Sequence, residues 1–195
     1  MILPIIAYGN PILKKVTQKV DQTYPNIKEL IDNMFETMHK ARGIGLAAPQ
    51  VGLSIRIFII DTTPLAKEKD NEHLKDFKQV FINPEIIKED GEEWTYNEGC
   101  LSIPEIREDI VRKSQVSIRY YDENFNLCTN KFTDLVGRII LHEYDHLEGI
   151  LFTDRLSSLR KRLLKRKLTD ISKGNIEINY EMSFPLKKTK QSIVI

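Results

Sequence analysis

His142-Glu143-Tyr144-Asp145-His146 sets two imidazoles four residues apart, with a carboxylate beside the first. Residues i and i+4 lie one above the other on a single helix face, so the stretch commits its part of the chain to a helix. Leu135 and Ile139 fall on that same face, which turns both histidines toward the apolar interior. Thr133 and Asp134 offer an N-cap, and Gly149 offers a left-handed stop after Glu148. Two inward imidazoles that bracket a glutamate are hard to satisfy by core packing, whereas one divalent ion satisfies both. Glu143 would then reach a water on that ion as general base. Shielding from bulk water strengthens the ion's field.

The third ligand decides the chemistry. A metzincin-type continuation would need a histidine where Phe152 stands, although Gly149 is in place for it. A glutamate from a downstream helix, the other common completion, is missing between Glu148 and Glu177. The donors that remain lie upstream: Cys100, Cys128, His39, His73 or a carboxylate. Cys100 stands out by its neighbours, Glu98-Gly99-Cys100-Leu101-Ser102, whose glycine permits close backbone approach. His39, near a helix end, and His73, among Asp70, Glu72, Lys75 and Asp76, read as surface residues. Cys128 reads as a small core or edge residue of a strand.

The rest of the chain reads as helices and hairpins. Pro25-Asn26 opens a helix with Ile27, Leu30, Ile31, Met34 and Met38 on one face, ended by Gly43. Gly43-Ile44-Gly45-Leu46-Ala47-Ala48-Pro49-Gln50-Val51-Gly52 reads by itself as a tight turn, without the ending of a phosphate loop. Arg56 to Asp61 is a buried strand, and 62–78 a charged surface loop. Gln79 to Ile87 is a strand broken at Asn83-Pro84, and Gly91 marks a turn. Ile110–Tyr121 and Phe125–Phe132 flank Asp122-Glu123-Asn124 as a hairpin, with Val116, Ile118 and Tyr120 alternating inward. Asp154 to Lys173 is a last helix with Leu156, Leu159, Leu163 and Ile171 on its apolar face. Absence of a regular strand–helix alternation points to α+β. The 195 residues suit one domain, 1–173, followed by a tail, 174–195, that is an edge strand or mobile; Ser192-Ile193-Val194-Ile195 has the apolar character for such a strand.

Charge and cysteine usage narrow the setting. The net charge of +1 advertises neither DNA nor membrane. Two cysteines make no disulfide framework, and no apolar run approaches the roughly 20 residues of a bilayer span. The short apolar start, Met1 to Gly9, lacks a basic leader, so a cytoplasmic location is expected. Arg155, Arg160, Lys161, Arg162, Lys165, Arg166, Lys167 and Lys173 give the last helix +6 against Asp154 and Asp170, which leaves −5 on the rest of the chain. This is a solvated face or an attachment to RNA-rich machinery.

In order, Gly43-Ile44-Gly45-Leu46-Ala47-Ala48-Pro49-Gln50, Glu98-Gly99-Cys100-Leu101-Ser102 and His142-Glu143-Tyr144-Asp145-His146 closely resemble peptide deformylase. The resemblance runs from Pro4 to Leu168 and includes the spacing between motifs; Tyr144 stands where the family often has Phe or Met, and 62–78 is longer than in many relatives. It implies an α+β fold, mostly antiparallel β-sheets surrounding a central helix that carries the motif, with N-terminal and C-terminal helices. It implies Cys100, His142 and His146 as metal ligands with an open fourth position. The ion implied is Fe2+, with Zn2+, Ni2+ or Co2+ as substitutes, and an oxidation-prone thiolate site suits a reducing compartment.

The reaction implied is removal of the N-formyl group from the N-terminal formyl-methionine of newly made polypeptides, with release of formate. Glu143 would act as general base and then acid, and the Gln50 amide and Leu101 N–H would stabilise the oxyanion. Gly45, beside these catalytic groups, and Gly43, on the substrate side, would leave room for approach at backbone level. Ile44, Leu135, Ile139 and the stem of Arg138 would line a methionine pocket, and a Glu98–Arg107 pair would brace the loop bearing Cys100. The partners are formylated nascent peptides, with transient ribosome contact through 154–173 and neither DNA nor membrane. Two other readings share the residues: an HExxH metallopeptidase, whose usual third ligands are missing, and a non-enzymatic RNA- or ribosome-binding module built on the basic helix.

Overall fold

The run Ile57-Phe58-Ile59-Ile60 is apolar on both sides of a strand, so it is stable only between two covering layers. In the computed structural model, which describes residues 1–67, 74 and 77–186, it forms β3 (Ile57–Asp61), buried along its whole length. β3 lies between β2 (Gly45–Ala47) and β4 (Lys78–Cys100), and the sheet continues through β5 (Ile103–Tyr121) to β6 (Leu127–Thr133), antiparallel throughout. Alternate residues serve the two layers. Ile57, Ile59, Val80 and Ile82 pack with Ile31, Met34 and Met38 of α1 (Ile27–Lys40). Phe58, Ile60 and Phe81 pack with Ile139, Ile140 and Leu141 of α2 (Asp134–Leu147).

β5 keeps the expected alternation, with Val116, Ile118 and Tyr120 buried and Arg119 exposed. A third cluster joins Ile103, Ile106 and Ile110 of β5 to Leu164, Leu168 and Ile171 of α3 (Ser158–Lys173). The α+β architecture and the antiparallel sheet around the motif helix are therefore present.

α2 ends as expected at a left-handed Gly149, φ 69°. Ile150 N–H bonds the Asp145 carbonyl at 2.9 Å and Gly149 N–H that of His146 at 3.3 Å, the paired bonds of a Schellman stop. α1 ends differently from expectation. Its last residue is Lys40, Arg42 takes the left-handed conformation (φ 57°), and Gly43 only follows, its N–H on the Met38 carbonyl.

Two expected breaks are bulges. β4 runs without interruption for 23 residues. Asn83 (φ 49°) and Pro84 sit where the register with β5 shifts between Ile82 and Glu85, and the Asn83 side chain bonds both backbone groups of Val20. Gly91 (φ 77°) sits at a second shift, between Asp90 and Glu93. Pairing with β5 on either side carries the strand across residues that punctuate it locally.

The last helix starts at Ser158, not Asp154. Phe152–Arg155 forms a separate 3₁₀ turn, and the Ser157 hydroxyl caps α3 by accepting the Arg160 N–H. Its buried stripe is Leu164, Leu168 and Ile171; Leu159 and Leu163, expected in the core, are 68% and 63% exposed. In the described part of the segment after α3, β7 (Met182–Ser183) pairs in parallel with β1 (Ile5–Ile6). Ser192–Ile195, where an edge strand is expected, lies outside the described residues, as does His73. Thr63–Lys67 is a 3₁₀ turn within the expected 62–78 loop. Cys100 and Cys128 are both free. No described helix is long and apolar enough to cross a membrane.

The choice of buried stripe is directly measurable. Leu168→Ala is expected to cost about 2–5 kcal/mol in urea unfolding, as core truncations do. Leu163→Ala should stay within about 0.5 kcal/mol of the parent.

Candidate active site

The two-residue connection Leu101-Ser102 between β4 and β5 carries Cys100 to the inner face of α2. There Cys100, His142 and His146 bring one ligand atom each to within 4.8 Å of one another. Among the described residues no other group of three His, Cys, Asp or Glu side chains converges this way. Cys100 Sγ lies 3.3 Å from His146 Nε2, and the two imidazoles stand nearly perpendicular, centroids 5.2 Å apart. The other upstream donors are elsewhere. His39 Nε2 pairs with Asp61 at 2.9 Å, and Cys128 faces the Asn126 carbonyl on β6. Phe152, at the position a protease would give to a third histidine, is core and stacks against His142, centroids 6.2 Å apart.

The donor set fits a divalent ion. His142 Nδ1 lies 2.9 Å from Glu98 Oε2. A carboxylate only accepts, so Nδ1 holds a proton and Nε2 is the nitrogen left to bind an ion. Glu98 is buried and also takes the Arg112 fork, Nε–H at 2.7 Å and Nη2–H at 2.9 Å, and Arg138 Nη1–H at 3.0 Å. Burial alone would raise the Glu98 pKa; hydrogen bonds and charge from Arg112 and His142 outweigh it and hold the carboxyl well below its usual range. Arg112 reaches on to Asp145 at 2.7 Å, which a second fork from Arg155 also grips, at 2.7 and 2.6 Å.

The expected Glu98–Arg107 pair does not form. Glu98 stands opposite Glu108 and Gly99 opposite Arg107, so the arginine projects from the other face of the ladder. It donates instead to the side chain and carbonyl of Asn97, at 3.0 and 2.6 Å.

Glu143 is buried, and its Oε2 has no hydrogen-bond partner among the described residues. Burial raises its pKa to about 7, with the His142 charge opposing and the Glu98 charge adding. A carboxyl near neutrality gives and takes protons at working pH. Gly45 is what admits it: a Cβ there would stand 2.8 Å from Glu143 Cδ. Gly43 does the same for Leu101, whose Cδ1 would meet a Cβ at 2.7 Å. Both glycines thus yield space to the protein's own side chains. The Gln50 amide is oriented by its surroundings. Ala47 N–H donates to Oε1 at 2.8 Å, which leaves the NH2 to face Cys100 Sγ at 3.4 Å and Ser102 Oγ at 3.3 Å.

These groups line a cleft of ≈ 580 Å³ together with Gly43, Ile44, Glu98, Arg107, Leu135, Arg138 and Ile139. Arg138 is buried, donates to the Ile110 and Trp94 carbonyls and lies over the Trp94 ring, so its stem is fixed in the wall. Tyr144 points away, accepting from Arg56 at 2.7 Å. Lining residues that the motifs do not reach include Arg42, Leu65, Tyr96, Pro104, Ile106 and Tyr180. The Tyr180 hydroxyl donates to the Leu101 carbonyl at 2.8 Å. No local pattern marks that tyrosine. Arg112, which holds Glu98 and Asp145, could be found only through strand register, and Arg155, in the 3₁₀ turn after α2, is marked by no motif.

Comparisons with known proteins agree in direction. The model of the family described as polypeptide deformylase matches residues 2–162. A peptide deformylase of Christiangramia forsetii is 55% identical, covering 96% of this chain and 98% of its own length. One of Flavobacterium johnsoniae is 54% identical with the same coverage. Among solved structures, a peptide deformylase from Legionella pneumophila superposes with a TM-score of 0.78 at 34% identity, covering 90% of this chain and 98% of its own. One from Thermotoga maritima reaches 0.72 at 35% identity, covering 80% and 99%.

Because Glu98 neutralises two buried guanidiniums, Glu98→Ala is expected to cost about 3–5 kcal/mol, the range for one partner of a buried ion pair left alone. Arg107→Ala, outside this network, should leave the unfolding midpoint nearly unchanged. Urea titrations of the two variants beside the parent give the contrast.

Proposed function

The chain belongs to the polypeptide deformylase family, metal-dependent hydrolases that remove N-formyl groups from nascent peptides, and from that premise we infer how its own residues divide the work. Cys100, His142 and His146 are the residues that would hold the ion. Bound there, a divalent ion supplies Lewis acidity and a lowered pKa for water. Fe2+ is the ion we assign in the cell; a thiolate with two imidazoles equally accepts Zn2+, Ni2+ or Co2+. The observation that carries the reading is Glu143: a buried carboxyl with a free oxygen, beside three converging donors, in a cleft.

Glu143 takes a proton from the water that attacks the formyl carbon. As the C–N bond breaks, it returns that proton to the departing amine, and formate leaves. Charge developing on the carbonyl oxygen is met by the Gln50 NH2, already aimed by Ala47, and by the Leu101 N–H. Glu98 holds the His142 ring by its Nδ1 proton. Ile44, Leu135, Ile139 and the stem of Arg138 form an apolar wall suited to an unbranched methionine side chain, and Arg107 stands at the rim. Phe152, where a protease would place its third histidine, is core, and together with the family match this sets the metallopeptidase reading aside.

The protein acts where formylated chains emerge, in the cytoplasm, and α3 is the surface we assign to ribosomal RNA. Lys161, Arg162, Lys165, Arg166 and Lys167 are exposed along it, while Arg155 and Arg160, also exposed, are paired with Asp145 and Glu108.

Formate release from formyl-Met-Ala-Ser tests the chemistry. Glu143→Ala is expected to keep stoichiometric metal and lose about 10²–10⁴-fold in kcat. Cys100→Ala is expected to lose the metal itself; full occupancy in that variant would refute the ligand set. For the ribosome contact, changing Lys161, Arg162, Lys165 and Arg166 to Glu should abolish co-sedimentation with ribosomes at low salt and leave hydrolysis of the tripeptide intact.

A further inference from the structure

The two ends of the described chain meet beside the cleft, and both touch the turn after Cys100. Tyr8, just beyond β1, donates its N–H to the Ser102 carbonyl at 2.9 Å. Tyr180, just before β7, donates its hydroxyl to the Leu101 carbonyl at 2.8 Å. β1 and β7 are paired to each other, so the two contacts come from one unit. Leu101 and Ser102 are the entire connection between β4 and β5. The central peptide of a two-residue turn can flip between turn types, and here that peptide carries the Leu101 carbonyl. Here both carbonyls are held, and the Leu101 side chain is seated against Gly43.

We propose that Tyr180 is a positioning residue: by holding the Leu101 carbonyl it fixes the Leu101–Ser102 peptide, and with it the Leu101 torsions that set the direction of the Leu101 N–H on the preceding peptide. This rests on the reading of Leu101 as an oxyanion donor. A donor aimed beforehand at developing charge contributes far more than one that must reorient, and removal of such a donor costs about 10²–10³-fold in rate. Misaiming should cost part of that. Tyr180 itself meets no reacting atom; it lies in the cleft wall with its hydroxyl spent on the backbone.

The test is Tyr180→Phe in the full, metal-loaded chain, which keeps the ring and deletes only the hydroxyl. Formate release should show kcat about tenfold lower with KM within about twofold of the parent, in the range expected for loss of aim rather than of binding. Metal content should stay stoichiometric, and the Leu101 amide signal of the zinc-loaded, 15N-labelled protein should shift and broaden. An unmoved Leu101 signal overturns the proposal, as does a rise in KM at constant kcat, which would make Tyr180 a substrate wall. A moved signal with unchanged kcat instead overturns the reading of Leu101 as a donor, so the two failures are told apart.

Discussion

The carboxylate of Glu98 is the interaction on which the rest of the arrangement depends. It is buried, and it joins three separate elements: its own strand β4, Arg112 of β5, and Arg138 and His142 of α2. Removing charges from water costs several kcal/mol per ion, and attraction offsets that only where every donor and acceptor is used. Here nearly all are, since both oxygens accept and the Arg112 guanidinium continues to Asp145 and so to Arg155. The consequence is geometric. The imidazole of His142 has its tautomer and ring plane set by strand residues, and the helix cannot slide relative to the sheet without breaking a charged hydrogen bond.

How much of this was legible in the chain depends on whether the signal was local. The face of α2, the alternation of β5 and the Gly149 stop are statements about neighbours in sequence, and periodicity reads them directly. Asn83-Pro84 and Gly91 misled because their local meaning is interruption, while pairing with β5 on either side turns them into bulges. α3 carries leucines at 159, 163, 164 and 168, enough for two apolar stripes; only the approach of Ile103, Ile106 and Ile110 decides between them.

The site divides the same way. His142, Glu143 and His146 announce themselves by spacing. Cys100 has no periodic relation to them and emerged from residue patterns alone as one donor among several, singled out finally by the order of three motifs. The partner of Glu98 was missed for a reason of parity: Arg107 is nearer along the chain, but one residue of register turns it to the opposite face. Tyr180 gave no signal, because its role is defined by a backbone atom 79 residues away.

The parallel pairing of Ile5 with Met182 also bears on the order in which the molecule assembles. Closing so long a loop carries an entropic cost that local helices and hairpins do not meet. On a ribosome β1 waits until Met182 has been made before its partner exists. α2 and the β4–β5 hairpin can form well before that, so the cysteine and both histidines are assembled early, while the turn beside them gains its last two restraints only after Tyr180 and Met182 have been added.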